Sequence, residues 1–113
     1  MVHVIRTDDL RPEGGGSPRF EGHAHGASVS FFVVDAREGR GPGPHRHPYE
    51  ETFVILSGSA TFTVEGEEIE AGAGTILVVP AGAVHGFVAG RDGVRSVNIH
   101  GSPRMEQVDL PPP

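Results

Sequence analysis

The chain has 113 residues, 36% of them apolar, and a formal net charge of -6. That length fits one ordinary domain with its own core, and no apolar run approaches the roughly 18 residues that a membrane span needs. Cysteine is absent, which excludes disulfides and thiolate metal ligands, and no basic cluster favours nucleic acid as a partner. We therefore expect a soluble protein whose partners are small molecules or other proteins.

The N-terminal region, residues 1–25, is predicted to be an arm and a loop, because it contains the glycine-rich stretch 14–18. It lacks the basic region followed by an apolar stretch that marks a secretory signal, so a cytoplasmic location is expected. Residues 1–113 are predicted to form a single domain with its core at about 26–110. Residues 111–113, all proline, are expected to be an extended tail.

The chain is predicted to be all-β. Seventeen glycines and ten prolines disfavour helix interiors and indicate frequent turns. Short runs rich in Val, Ile, Phe and Thr recur between the turn signals, as in an all-β sandwich or barrel. These predicted strands are 28–35, 52–56, 60–64, 75–79, 85–88 and 94–100.

Two turns are predicted within the segment 52–70, which we expect to be a meander. Ser-Gly-Ser at 57–59 indicates one hairpin turn and Glu-Gly-Glu at 65–67 the next. The acidic residues that follow, Glu67, Glu68 and Glu70, are expected to form a solvated edge.

The most informative segment begins with His45 and His47, which are one residue apart. On an extended chain their side chains point to the same side and can share one metal ion. Glu51 shares a face with the apolar residues of the next strand, so alternation selects it over Glu50 as the buried carboxylate. Tyr49 flanks these residues and is expected at the mouth of the site.

A third imidazole is expected from His85, which follows an apolar strand and a turn containing proline and glycine. Two histidines and a carboxylate are the ligand set of non-haem iron oxygenases, and a third histidine suits several metals almost equally. The predicted cofactor is therefore one divalent transition metal: Fe, Mn, Ni, Cu or Zn.

These residues resemble the motifs of the cupin superfamily. The first motif is matched at every position by Gly39, His45, His47, Glu51 and Gly58. The second is matched by Gly74, Pro80, Gly82 and His85, but its final asparagine is replaced by Ala89. The resemblance implies a double-stranded β-helix, that is a jelly-roll barrel, and a homodimer.

Other histidines are alternative candidates for a functional role. His100 shares a strand face with Ser96 and Asn98, and this face is the weaker candidate for the interior because Val97 and Ile99 occupy the other. A catalytic or substrate-contacting role for His100 competes with a surface position.

The pair His23 and His25 repeats the spacing without a following carboxylate and is expected to be exposed. Barrel filling is predicted for Phe53, Phe62, Ile76 and Phe87.

Three functions are compatible with these observations. Four protein ligands on an octahedral ion leave two positions, which favours dioxygenase-like oxidation of a small organic molecule, with Glu51 as a possible base. The alternatives are an isomerase or lyase that uses the ion as a Lewis acid, and a non-catalytic small-molecule sensor. Fold alone does not decide among them.

Overall fold

The computed structural model describes residues 1–111, and the predicted proline tail lies outside this range except for the exposed Pro111. Two short 3-10 helices occur at Thr7–Leu10 and Gly22–Ala24. The strands are β1 (Arg19–Phe20), β2 (Ser30–Ala36), β3 (His45–Arg46), β4 (Glu51–Val64), β5 (Glu67–Gly72), β6 (Ile76–Val79), β7 (His85–His100) and β8 (Val108–Asp109). The described residues contain no helix that is long and apolar enough to cross a lipid bilayer.

The sheet is built around two long strands, β4 and β7, which pair with each other in antiparallel fashion. β4 also pairs with β5 and β6, while β7 also pairs with β2 and β3. The outer pairs β1–β2 and β3–β8 extend the sheet. Because each long strand pairs with different partners along its length, the sheet curls on itself, and the prediction of an all-β double-stranded β-helix is confirmed.

The predicted hairpin turn at 57–59 is wrong, because β4 runs through this segment without reversing. The register between β4 and β7 shifts between Ile55 and Ser57 and again between Gly58 and Ala60, so an irregularity replaces the turn. Gly58 has a φ of 72°, which glycine adopts without strain. The glycine signal therefore marked a bend inside one strand rather than a connection between two.

Gly58→Ala should destabilise the fold by more than about 2 kcal/mol, since a left-handed backbone conformation and a clash both oppose a side chain. A Cβ at this position would lie 2.0 Å from the carbonyl oxygen of Gly93. Urea unfolding would measure the loss, with Gly72→Ala as the matched control, because a Cβ there would lie 3.9 Å from the nearest atom, the carbonyl oxygen of Gly58. Equal midpoints for the two variants would contradict this account.

The second predicted turn is confirmed. Val64 pairs with Glu67, so Glu65 and Gly66 form a two-residue loop. Their φ angles of 49° and 81° are both positive, as a type I′ hairpin requires. The acidic residues of β5 are exposed as predicted.

The core is formed by side chains that alternate inward along β4 and β7. Phe53, Ile55 and Phe62 are each 1% exposed, and Phe87 packs against them. The prediction for Ile76 is wrong, since it is 64% exposed. On β6 the residues that face inward are Leu77 and Val79, so Ile76 lies on the outer face and not on the inner face as predicted.

The prediction for the last part of β7 is also wrong. Ser96, Asn98 and His100 are buried, because they lie opposite Ile55, Phe53 and Glu51 of β4, whose side chains face inward. The apolar residues between them are only partly buried on the outer face of the sheet. A stripe of polar side chains therefore lines the interior.

Candidate metal centre

Four side chains from three parts of the fold converge inside one end of the barrel. His45 lies on β3 and pairs with His85 at the start of β7, while Glu51 begins β4. Together with His47 they are all buried, and their ligand atoms lie within 4.8 Å of one another. Among residues 1–111 this is the one group that could hold a metal ion.

Local structure explains why these side chains meet. Burial alternates from His45 through Tyr49 to Glu51, so every second residue points inward even where regular pairing stops. The turn before His85 is tied to this segment, because Gly82 donates its backbone N–H to the carbonyl of His47 at 2.8 Å. Glu50 is exposed, in agreement with the choice of Glu51.

The ring orientation of the three histidines is fixed by backbone carbonyls. A carbonyl oxygen can only accept, so each Nδ1 must carry the proton and each Nε2 is left to face the centre of the site. The three bonds run from His45 to Gly43 at 2.8 Å, from His47 to Glu106 at 2.7 Å and from His85 to Ala83 at 2.9 Å.

The orientation of these rings fits a divalent cation. The Nε2 atoms of His47 and His85 each lie 3.0 Å from Oε1 of Glu51. In the neutral rings these nitrogens are acceptors, as is the carboxylate oxygen, so only a shared cation or added protons make the approach favourable. Nε2 of His47 is moreover fully buried and lacks a hydrogen bond of good geometry, despite its distance from Glu51. Nitrogen and oxygen donors in this number suit a first-row transition metal.

The charges of the site agree with this interpretation. Burial alone would raise the pKa of Glu51, but its close contacts with the imidazoles of His100, His47 and His85 hold it well below its usual range. Burial lowers the pKa of His45. Burial also acts to lower the pKa of His47, yet its contacts with Glu51 raise it overall. A metal would therefore meet an ionised carboxylate and displace protons from imidazole.

His100 lies beside the four residues. Its Nε2 is 3.2 Å from Oε2 of Glu51, and its Nδ1 is 2.5 Å from the hydroxyl of Tyr49. The sequence places His100 on the less favoured face of its strand and carries no signal of its contact with Glu51, since that contact depends on the register of β4 and β7.

Tyr49 and His100 also border a surface cavity of about 340 Å³. The C-terminal segment crosses one side of it and is anchored by the backbone N–H of Met105, which donates to Glu21 at 3.1 Å. The lining residues are Arg19, Phe32, His47, Tyr49, His100, Met105, Glu106 and Gln107.

The other predicted histidine pair lies elsewhere. His23 is exposed and His25 is half-buried, with its ring stacked on Phe20 at a centroid distance of 4.8 Å. Neither belongs to the metal-capable group found in the described part of the chain.

Comparison with known proteins identifies the family. The family profile for the cupin domain matches residues 31–97, a segment that contains all four converging side chains. The chain belongs to the cupin family. Proteins of known structure share its architecture. An uncharacterised protein with a double-stranded β-helix domain from Klebsiella pneumoniae aligns with a TM-score of 0.73 at 23% identity, covering 96% of each chain.

Two further similarities concern proteins with a named activity. Dimethylsulfoniopropionate lyase DddW from Ruegeria pomeroyi is 38% identical over 118 residues, which is 95% of this cupin and 77% of that protein. Oxalate decarboxylase from Bacillus subtilis aligns with a TM-score of 0.82, covering 97% of this cupin and 32% of that chain. At 18% identity the second similarity shows the fold alone.

Proposed function

We propose that this cupin is a metal-dependent lyase in which His45, His47, Glu51 and His85 hold one divalent transition-metal ion. The observation that carries the metal site is the fixed orientation of the three imidazoles. Each donates its Nδ1 proton to a backbone carbonyl and turns Nε2 toward the centre, where the Glu51 carboxylate lies. This arrangement leaves nitrogen lone pairs and an anionic oxygen grouped in a buried space.

The lyase reaction is favoured by the similarity to DddW, which extends over nearly the whole of this chain. The name of that relative specifies a propionate that carries a dimethylsulfonium group. A sulfonium group on the carbon β to the carboxylate can leave by elimination. Removal of a proton next to the carboxylate, with cleavage of the carbon–sulfur bond, yields dimethyl sulfide, acrylate and one proton. We propose a small carboxylate with such a leaving group as the substrate class.

The side chains of this protein would bind the ion and handle the proton. The bound metal would supply Lewis-acid stabilisation of negative charge on the substrate carboxylate. His45, His47 and His85 would remain neutral ligands, and Glu51 would contribute one negative charge. Glu51 is the candidate proton acceptor, because its carboxylate is buried at the site, and His100 contacts its Oε2 at 3.2 Å.

The proposal is tested by assaying tag-free protein loaded separately with Fe²⁺, Mn²⁺, Ni²⁺, Cu²⁺ or Zn²⁺ on dimethylsulfoniopropionate. We expect equal amounts of dimethyl sulfide and acrylate with at least one metal, no oxygen consumption, and loss of turnover in Glu51→Gln. The exposed neighbour provides the control variant, Glu50→Gln. Metal-loaded protein that leaves the substrate intact would contradict the lyase assignment.

The same assay addresses the other predicted functions. Oxygen uptake with an iron-loaded sample would favour the predicted dioxygenase-like oxidation, and tight ligand binding without turnover would favour a sensor. The predicted homodimer and cytoplasmic location also remain predictions. Light scattering measures the first, and fractionation of the native host measures the second.

A further inference from the structure

We propose that His100, held by Tyr49, is a positioning residue that fixes the Glu51 carboxylate for metal binding. This inference rests on the proposed metal site but not on the lyase reaction. It assigns a role to the two polar side chains that border the four ligands and are not themselves needed as ligands.

The two oxygens of Glu51 have different neighbours. Oε1 lies 3.0 Å from Nε2 of both His47 and His85, whereas Oε2 lies 3.2 Å from Nε2 of His100. His100 is outside the group whose ligand atoms all lie within 4.8 Å of one another. It is therefore placed to hold the second oxygen while the first faces the ion.

Tyr49 determines which nitrogen of His100 carries the proton. The backbone N–H of Glu106 donates to the Tyr49 oxygen at 3.2 Å, and the phenol's own proton has two acceptors within reach, the Glu106 carbonyl at 3.2 Å and the much closer Nδ1 of His100. The Tyr49 oxygen is 2.5 Å from Nδ1 of His100. When Tyr49 donates to Nδ1, the neutral ring carries its proton on Nε2, which then donates to Oε2 of Glu51.

The backbone of Glu106 links this series of hydrogen bonds to His47, one of the proposed ligands. The carbonyl of Glu106 accepts from Nδ1 of His47 at 2.7 Å, while the N–H of Glu106 donates to Tyr49. Tyr49, His100 and Glu51 are 8%, 2% and 4% exposed, so water does not compete freely for these bonds. The backbone of Glu106 thus orients the His47 ring directly. It orients the Glu51 carboxylate indirectly, through the side chains of Tyr49 and His100.

Loss of this support should weaken metal binding. A carboxylate without a partner for Oε2 can rotate away from the position in which Oε1 faces the imidazoles. Loss of a hydrogen-bonding partner of a metal ligand typically lowers affinity about 10–100-fold. We expect a loss in that range for His100→Leu and a loss near 10-fold for Tyr49→Phe, which leaves the imidazole in place.

The experiment measures Zn²⁺ affinity by competition with a chromophoric chelator, together with the visible spectrum of the Co²⁺-substituted protein. The variants are His100→Leu, His100→Gln and Tyr49→Phe. The amide of glutamine can donate from a position close to that of Nε2, so His100→Gln should recover most of the affinity and a wild-type-like spectrum. Ser96→Ala is the matched control, because it removes a buried hydrogen bond on the same face of β7 without a contact to Glu51.

Three results would overturn the proposal. The first is wild-type Zn²⁺ affinity and an unchanged Co²⁺ spectrum in both His100→Leu and Tyr49→Phe. The second is an equal loss of affinity in His100→Gln and His100→Leu, and the third is an equal loss in Ser96→Ala. If His45→Ala also binds Zn²⁺ as tightly as wild type, the metal site itself is wrong, whereas absence of lyase turnover with normal metal binding leaves this inference intact.

Discussion

Replacing His47 by alanine should abolish stoichiometric metal binding and the turnover that depends on it. His47 contributes one of three Nε2 atoms to the proposed site, and it is buried, with a relative exposure of 2%. Loss of a hydrogen-bonding partner alone costs about 10–100-fold in affinity, and loss of a ligand should exceed the upper end of that range. The substitution also removes the closer of two donors to the Glu106 carbonyl, Nδ1 of His47 at 2.7 Å, and leaves the Tyr49 hydroxyl at 3.2 Å.

Metal content after dialysis, measured by mass spectrometry, gives the result directly. His23→Ala is the control, because His23 belongs to a second His-x-His pair with the same spacing but is exposed and outside the four-residue group. We expect one metal ion per chain in wild type and in His23→Ala, and much less than one in His47→Ala. A full equivalent of metal in His47→Ala would show that the ion binds elsewhere.

The proposed metal ligands could be predicted from sequence because the alternation of side chains along a strand is a local property. His45, His47, Tyr49 and Glu51 occupy every second position, and all four are buried. The choice between Glu50 and Glu51 required only the phase of this alternation. His85 was also within reach, since the glycine-containing turn before it has a recognisable pattern, and Gly82 has a φ of 81°.

The hydrogen-bonding partners of the proposed ligands could not be predicted, because they depend on the register between distant strands. His100 contacts Glu51 since the two residues are directly opposite in the β4–β7 ladder. Sequence alone favoured Val97 and Ile99 as the inward face of β7, but the outer face of this sheet is apolar as well, and Val97 pairs with Val54 there. Two apolar faces make hydrophobicity a poor guide to orientation.

The bend at Gly58 was missed for a related reason. A glycine between two serines is compatible with a hairpin turn or with an irregularity inside a strand. The difference lies in what the following residues pair with. Residues after Gly58 continue along β7 and also pair with β5, so β4 spans fourteen residues instead of ending at the glycine.

Phe62→Ala should lower the free energy of unfolding by about 3–5 kcal/mol, the usual cost of removing a large aromatic side chain from a core. Phe62 is 1% exposed, and its ring centroid lies 4.8 Å from that of Phe53 and 5.2 Å from that of Phe87. Three rings in mutual contact cannot close the space left by one of them without moving the strands that carry them. Ile76→Ala, at a position that is 64% exposed, should change stability by only about 0.5 kcal/mol.

Metal should offset part of this loss, because the four proposed ligands come together only in the folded chain. A ligand present at 100 times its Kd stabilises the native state by about 2.7 kcal/mol. Urea unfolding of wild type and Phe62→Ala, each with Zn²⁺ and with chelator, would measure both effects. The same metal-dependent increment in both proteins is expected, since Phe62 does not contact the ligands directly and Phe53, whose ring lies 5.9 Å from that of His85, separates it from the site. A much smaller increment in Phe62→Ala would mean that the core and the metal site are coupled through Phe53, and the ligand geometry would then depend on core packing as well as on hydrogen bonds.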